Sequence, residues 1–329
     1  MKILLIRFSS IGDIVLTSPV IRCIKQQIKN VELHVLIKDK FASIAHNNPN
    51  VDKVFEFQGS LNDTIKELKA EKYDYVVDLQ KNHRSKAVCR ALKCEHGTFH
   101  KLDFKKLLLT LFKINVLPDV HIVDRYFEAV AKLGVKNDGA GLEFFISESN
   151  ALQEPDIPEE FKDGFYAVVI GGSFATKVIP TEKIIEVIKK LNQPVVLIGG
   201  NGDMERANTI VDAVGKNVGN PVGKLNLEQS ASLLKMAKAV LTSDTGMMHI
   251  AAALHKPIVS VWGNTVPEFG MFQYYPDNLK MDINIVEVKD LKCRPCSKLG
   301  FKKCPKGHFK CMKDIDTEEI VKLLIKNLQ

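Results

Sequence analysis

Strand-like apolar runs alternate with amphipathic helical runs along this 329-residue chain, and no other feature restricts its fold so strongly. KILLIRF, VELHVLI, VDKVFEF and YDYVVDL read as strands in the first half, and FYAVVIGG, PVVLIGG, KAVLTSD and PIVSVWG in the second. Among the helical runs are DIVLTSPVIRCIKQQI, with a kink expected at Pro19, and HIVDRYFEAVAKLG, stopped by Gly134. TEKIIEVIKKL, GDMERANTIVDAV and GMMHIAAAL follow in the second half. Buried strands separated by helices imply parallel sheets covered by helices, so the fold class is α/β. From Ser147 the segment SESNALQEPDIPEEFKDG is acidic, holds two prolines and lacks apolar periodicity, which marks residues 147–164 as a linker. It separates a domain over residues 1–150 from one over 151–329, each Rossmann-like. Two such domains are expected to face a cleft at the C-terminal ends of their strands, where open α/β sheets bind ligands.

Composition narrows the partners. Hydrophobic residues at 45% and charged residues at 26% give a globular balance. No signal peptide is apparent, and no run approaches the roughly 18 apolar residues of a membrane-spanning helix, so a cytoplasmic protein is expected. The net charge of +7 is concentrated between Lys81 and Lys113, where nine Lys or Arg face two acids, Glu95 and Asp103. Such a window is either a solvated basic face or a surface for an anionic partner. Nucleic acid is not expected, because neither a binding motif nor interleaved aromatic residues accompany the charge.

Four loops after strands, one in the first half and three in the second, carry the chemistry. In IRFSSIGDIV the first strand breaks into Ser9-Ser10-Ile11-Gly12-Asp13, without the glycine-rich run that a dinucleotide site requires. This sets the chain apart from a nicotinamide-dependent oxidoreductase. In LTSDTGMMHIAAAL, Asp244-Thr245-Gly246 opens a helix whose amides and dipole favour an anion, with Asp244 a candidate side-chain cap and His249 one turn on. In GGSFATKVIP, the strand runs into Gly171-Gly172-Ser173, and Lys177 can set a point charge against a phosphate. With GGNGDMERA after the next strand, these loops point to a nucleotide-diphosphate site.

The opening RFSSIGD with PVIR behind it, YDYVVDLQKNHRS, GGSFATKVIP and above all SDTGMMHIAAALHKPIVSVWGNT resemble glycosyltransferase family 9, which contains the ADP-heptose:lipopolysaccharide heptosyltransferases. The resemblance spans essentially the whole chain. It implies a GT-B fold, with the acceptor bound by the first Rossmann-like domain and the nucleotide sugar by the second. It also implies an inverting, metal-independent transfer of heptose from an ADP-sugar to a lipopolysaccharide-core or related glycan. Asp13 then takes the place of the catalytic base. Lys177, with Gly171, Gly172, Ser173, Asp244, Thr245, Gly246 and His249, holds the donor and stabilises its departing diphosphate. Ser10 and Gly12 shape the base loop, and Gln80, Asn82 and Arg84 are candidates for acceptor contacts. Lipid-linked acceptors carry phosphates, so the basic window and FKKLLLTLFKINVL can meet the inner face of the cytoplasmic membrane; otherwise Leu107 to Phe112 pack in the core. A transferase using another nucleotide sugar and a non-catalytic glycan-assembly subunit are the alternatives.

Four of the seven cysteines fall in CRPCSKLGFKKCPKGHFKCM, spaced C-x2-C-x7-C-x6-C over residues 293–311, with His308 nearby. A cytoplasmic chain is not expected to pair them as disulfides. Structural zinc at Cys293, Cys296, Cys304 and Cys311 is the sharper reading. Reduced, packed thiols are favoured over it because the spacing is irregular for a zinc module. No cofactor is expected for catalysis. Cys23, Cys89 and Cys94 read as core residues.

Overall fold

A computed structural model describes residues 1–153 and 158–326. The middle of the expected linker, 154–157, thus lies outside the described residues. The chain forms two compact units. In the first half run β1 (Lys2–Ile6), α1 (Ile11–Val15), α2 (Ser18–Gln27), β2 (Glu32–Lys38), α3 (Ala42–His46), β3 (Lys53–Phe57), α4 (Leu61–Ala70), β4 (Tyr75–Asp78), α5 (His83–Leu92), β5 (Glu95–Thr98), α6 (Asp103–Phe112) and α7 (Ile122–Tyr126). The second half contains β6 (Tyr166–Val169), α8 (Thr181–Leu191), β7 (Val195–Ile198), α9 (Met204–Val214), β8 (Val218–Gly219), α10 (Leu227–Met236), β9 (Val240–Ser243), α11 (Gly246–Ala253), β10 (Ile258–Trp262), β11 (Asn284–Glu287), α12 (Lys310–Lys313) and α13 (Thr317–Lys326).

The first unit carries a parallel sheet in the order β3-β2-β1-β4-β5, and the second one in the order β11-β10-β9-β6-β7-β8. Read from β6, the second order repeats the first with one more strand. Both are Rossmann-like layers, with a topological switch point between β1 and β4 and another between β6 and β9. Burial explains why the central strands are so apolar: Ile3 to Ile6 and Val240 and Leu241 are fully shielded, as is usual for parallel strands covered on both faces. In the second unit α8, α9 and α13 close one face through Ile184, Val187, Ile188, Ile210, Ile320 and Leu324.

Local departures from the sequence pattern have physical causes. The run containing Pro19 is not one kinked helix but two, broken at Leu16–Thr17. Pro19 sits in the first turn of α2, where its missing N–H removes no helical hydrogen bond. The run ending at Gly134 tightens from α7 into a 3-10 turn over Phe127–Leu133, and Gly134 then takes a left-handed φ of 72°.

The division into units is also not a single cut at residue 150. Residues 102–119 belong to the second unit and Tyr274–Leu279 to the first, and the main exchange falls between Phe145 and Ile146. The start of the expected linker is tied down, because Glu228 accepts hydrogen bonds from the Ser147 amide (3.0 Å) and hydroxyl (2.6 Å). Among the described residues no helix is long and apolar enough to cross a membrane.

Candidate active site

Each switch point separates two strand-end loops, and in both units those loops hold the residues that the sequence singles out. In the first unit, the β1 loop leads into α1, with Asp13 in its first turn. Asp13 accepts hydrogen bonds from the Ser10 amide (3.1 Å) and hydroxyl (2.9 Å). Its other oxygen meets the Arg7 guanidinium at 2.5 Å. Arg7 is itself buried; it donates to the carbonyls of Ser9 and Leu79 and lies 5.9 Å from the Tyr126 ring centre. Burial of Asp13 disfavours its charge, but the Arg7 cation and the Ser10 donors outweigh this and hold the carboxyl below its usual range. The same pairing raises Arg7 despite the cost of its burial. The Asp13 side chain keeps 25% of its surface exposed, so it is an ionised carboxylate open to a ligand.

The facing β4 loop is organised by Asp78, which is 3% exposed. It accepts the Gln80 and Lys81 amides at 3.0 and 2.7 Å and the Ser85 hydroxyl at 2.8 Å. Three residues expected to contact an acceptor have local duties here. Gln80 joins the two loops by accepting the Phe8 amide at 2.9 Å. Asn82 caps α5 by accepting from the Arg84 and Ser85 amides. The Arg84 guanidinium lies 5.5 Å from the Phe57 ring centre. Ser10 and Gly12 do flank Asp13, Ser10 exposed and Gly12 buried.

In the second unit the β6 and β9 loops meet. A Cβ on Gly172 would come within 3.4 Å of the Thr245 methyl, and one on Gly171 within 2.3 Å of the Asp203 carboxylate, which accepts the Gly200 amide. The three glycine-bearing loops therefore converge. Lys177 does not reach outward alone: its ammonium contacts Asp244 at 2.5 Å, and Asp244 also accepts the Thr265 hydroxyl at 2.8 Å. Asp244 is thus not the expected helix cap. Thr245 holds the N-cap position in an extended conformation with no side-chain cap bond, so the first-turn amides of α11 lack that partner. Ser173 is exposed beside these groups, whereas His249, 2% exposed, lies in the interior. The arrangement offers a buttressed cation and a helix N-terminus, both suited to a diphosphate.

The cysteine-rich segment supports this loop cluster. Arg294 donates to the carbonyls of Gly263 (2.6 Å) and Thr265 (3.0 Å) and pairs with Glu287, while the Cys296 amide bonds the Asn264 carbonyl. Cys311 lies in the core, and burial pushes its thiol up to about 12. Cys293 approaches His308 at 3.7 Å. Among the described residues no three of the four cysteines and His308 bring ligand atoms within 4.8 Å of one another. Cys23 and Cys89 are buried, and Cys94 packs half-buried beside the first core.

Arg7, Asp78, Thr265 and Arg294 escape a reading of the motifs. The available signal was thermodynamic: a charge inside an apolar strand run, as in KILLIRF or YDYVVDL, must find a partner if it is buried.

The family model described as glycosyltransferase family 9 (heptosyltransferase) matches residues 62–304. Lipopolysaccharide heptosyltransferase 1 of Campylobacter coli is 25% identical over 98% of each chain. Escherichia coli ADP-heptose lps heptosyltransferase II superposes with a TM-score of 0.74 at 21% identity, over 100% of this chain and 98% of that one. The E. coli heptosyltransferase WaaC with ADP gives 0.70 at 23% identity, over 99% and 100%. The GT-B fold is common to them, and the match of the family model over most of the chain carries the assignment: this chain belongs to glycosyltransferase family 9.

Proposed function

We propose that the protein transfers heptose from ADP-heptose, with inversion and without a metal, to a lipopolysaccharide-core or related lipid-linked glycan at the cytoplasmic side of the membrane. The observation that carries this reading is the Asp13 carboxylate held ionised by Arg7 on the switch-point loop of the first unit. An acceptor hydroxyl attacks the anomeric carbon as its proton passes to Asp13, and the bond from that carbon to the diphosphate oxygen breaks, releasing ADP. Because Arg7 makes Asp13 a weak base, proton transfer follows C–O bond formation closely and Asp13 also orients the hydroxyl. In the second unit Lys177 and the amides at the start of α11 take the negative charge of the leaving group. Asp244 positions Lys177, and this ammonium with the α11 N-terminus takes the place a divalent ion would otherwise fill. The donor assignment draws support from the WaaC structure, which was solved with ADP.

The test is thermal stabilisation of the purified protein by ADP, UDP, GDP and ADP-heptose with and without chelator, followed by transfer to a heptose-deficient core acceptor. Selective stabilisation by the adenine nucleotides and turnover that survives chelation are expected. Stabilisation by UDP or GDP alone would replace the donor, and turnover lost on chelation would end the metal-free mechanism.

A further inference from the structure

α6 is amphipathic the wrong way round. Phe104, Leu107 and Leu111, at spacings of three and four residues, form one stripe, and they are 71%, 48% and 62% exposed. Phe112 beside them is 65% exposed. The face turned to the second unit is narrow: Leu109 packs with Val266 and Phe269, Lys106 lies over the Phe269 ring, and Lys113 donates to the Pro295 carbonyl at 2.6 Å. The expectation that Leu107 to Phe112 pack as core therefore holds for Leu109 alone among the fully buried positions. A helix that displays its apolar stripe to water implies something that covers it.

The surroundings of the stripe identify its occupant. The only acid in residues 102–113, Asp103, is ion-paired at 2.8 Å with Lys298, which anchors the neighbouring loop to the start of α6. That loop exposes Leu299 (59%) and Phe301 (38%) among Lys302, Lys303 and Lys306, all exposed, and Lys105 is exposed on the helix. Phenylalanine and leucine on one face with lysines around them, and with the sole helix acid neutralised, complement an anionic lipid surface.

We propose that α6 and the adjoining 298–306 loop are a membrane-docking face that lies in the headgroup region of an anionic bilayer. Phe104, Leu107, Leu111 and Phe112 enter the lipid while Lys105, Lys302 and Lys303 contact its phosphates. Its benefit to the enzyme rests on the lipid-linked acceptor proposed above, since docking confines the transferase to the plane that holds its substrate.

Flotation of the full-length protein with vesicles that contain no glycolipid tests the face apart from the transfer reaction. Binding to phosphatidylglycerol/phosphatidylethanolamine vesicles is expected to exceed binding to phosphatidylcholine vesicles by about tenfold and to fall in high salt. The triple variant Phe104→Ser/Leu107→Ser/Leu111→Ser should lose about tenfold in vesicle binding while keeping its thermal midpoint and ADP response. Lys302→Glu/Lys303→Glu should lose the preference for anionic lipid. Equal flotation of wild type and triple variant would overturn the proposal, as would no flotation of wild type. A dimeric wild type that the triple variant converts to monomer would assign the stripe to a second copy instead. Loss of transfer activity with intact vesicle binding would count against the proposed function and leave docking standing.

Discussion

At the scale of single residues the Arg7–Asp13 pair sets the charge that the first switch-point loop presents. Asp13→Asn is expected to cut turnover by at least about 100-fold while leaving ADP affinity unchanged, measured by transfer assay and calorimetric titration. Arg7 acts through Asp13, so its removal is read in the pH profile. On the mechanism proposed above the rate requires the ionised carboxylate, and with Arg7 present its acid limb lies below the ordinary carboxylate range. In Arg7→Gln only the burial of Asp13 and the Ser10 bonds remain, so the limb in kcat/KM should move to higher pH; an unmoved limb would separate Arg7 from the base. Asp13 was legible because a carboxylate after a strand interrupts an expected glycine-rich loop. Its partner was not, since an arginine six residues upstream gives no periodic signal, and burial is a property of the folded sheet. Gln80 and Asn82 serve the backbone here, Gln80 by accepting the Phe8 amide and Asn82 by capping α5, which polar residues at strand ends do as readily as they meet a ligand.

At the scale of elements, the second unit relies on loops that hold one another. A Cβ on Gly263 would stand 2.9 Å from the Thr176 carbonyl and 2.7 Å from the Met312 methyl, and the carbonyl, being backbone, cannot swing away. Gly263→Ala is expected to lower stability by about 1–3 kcal/mol in denaturant unfolding and to weaken ADP binding, because the same loop carries Thr265 to Asp244. The long apolar strands were legible in the sequence. β5 (EHGT), β8 (VG) and β11 (NIVE) were not, being short edge-region strands whose pairing comes from a neighbour rather than from their own pattern. The cysteine segment was legible as a cluster; its contribution through Arg294 to the 263–265 loop depends on tertiary contact alone.

For the molecule as a whole, acid stability should report the join between α2 and the chain end of the first unit. Asp138 receives two hydrogen bonds of 2.8 Å from Arg22, which is 4% exposed, and these bonds lower its carboxyl to about 2. The folded state resists protonation that the unfolded chain accepts near pH 4, so this contribution is complete above that pH and disappears as the pH falls towards 2. Asp138→Asn should cost about 2 kcal/mol at neutral pH and flatten the unfolding free energy between pH 4 and 2, measured by urea unfolding across that window. The two Rossmann-like units followed from alternation, but the exchange of segments between them did not, because crossing segments such as 102–119 have no compositional edge.

The return of Tyr274–Leu279 to the first unit bears on how the chain is made. Tyr274 stacks on His121 with centroids 4.6 Å apart and donates to Asp124 at 2.8 Å, while the Asp277 amide bonds the Gly139 carbonyl at 2.8 Å. These partners leave the ribosome well before the segment that clasps them, by an interval on the order of ten seconds at ordinary translation rates. The first unit therefore cannot complete these contacts until most of the second has been synthesised.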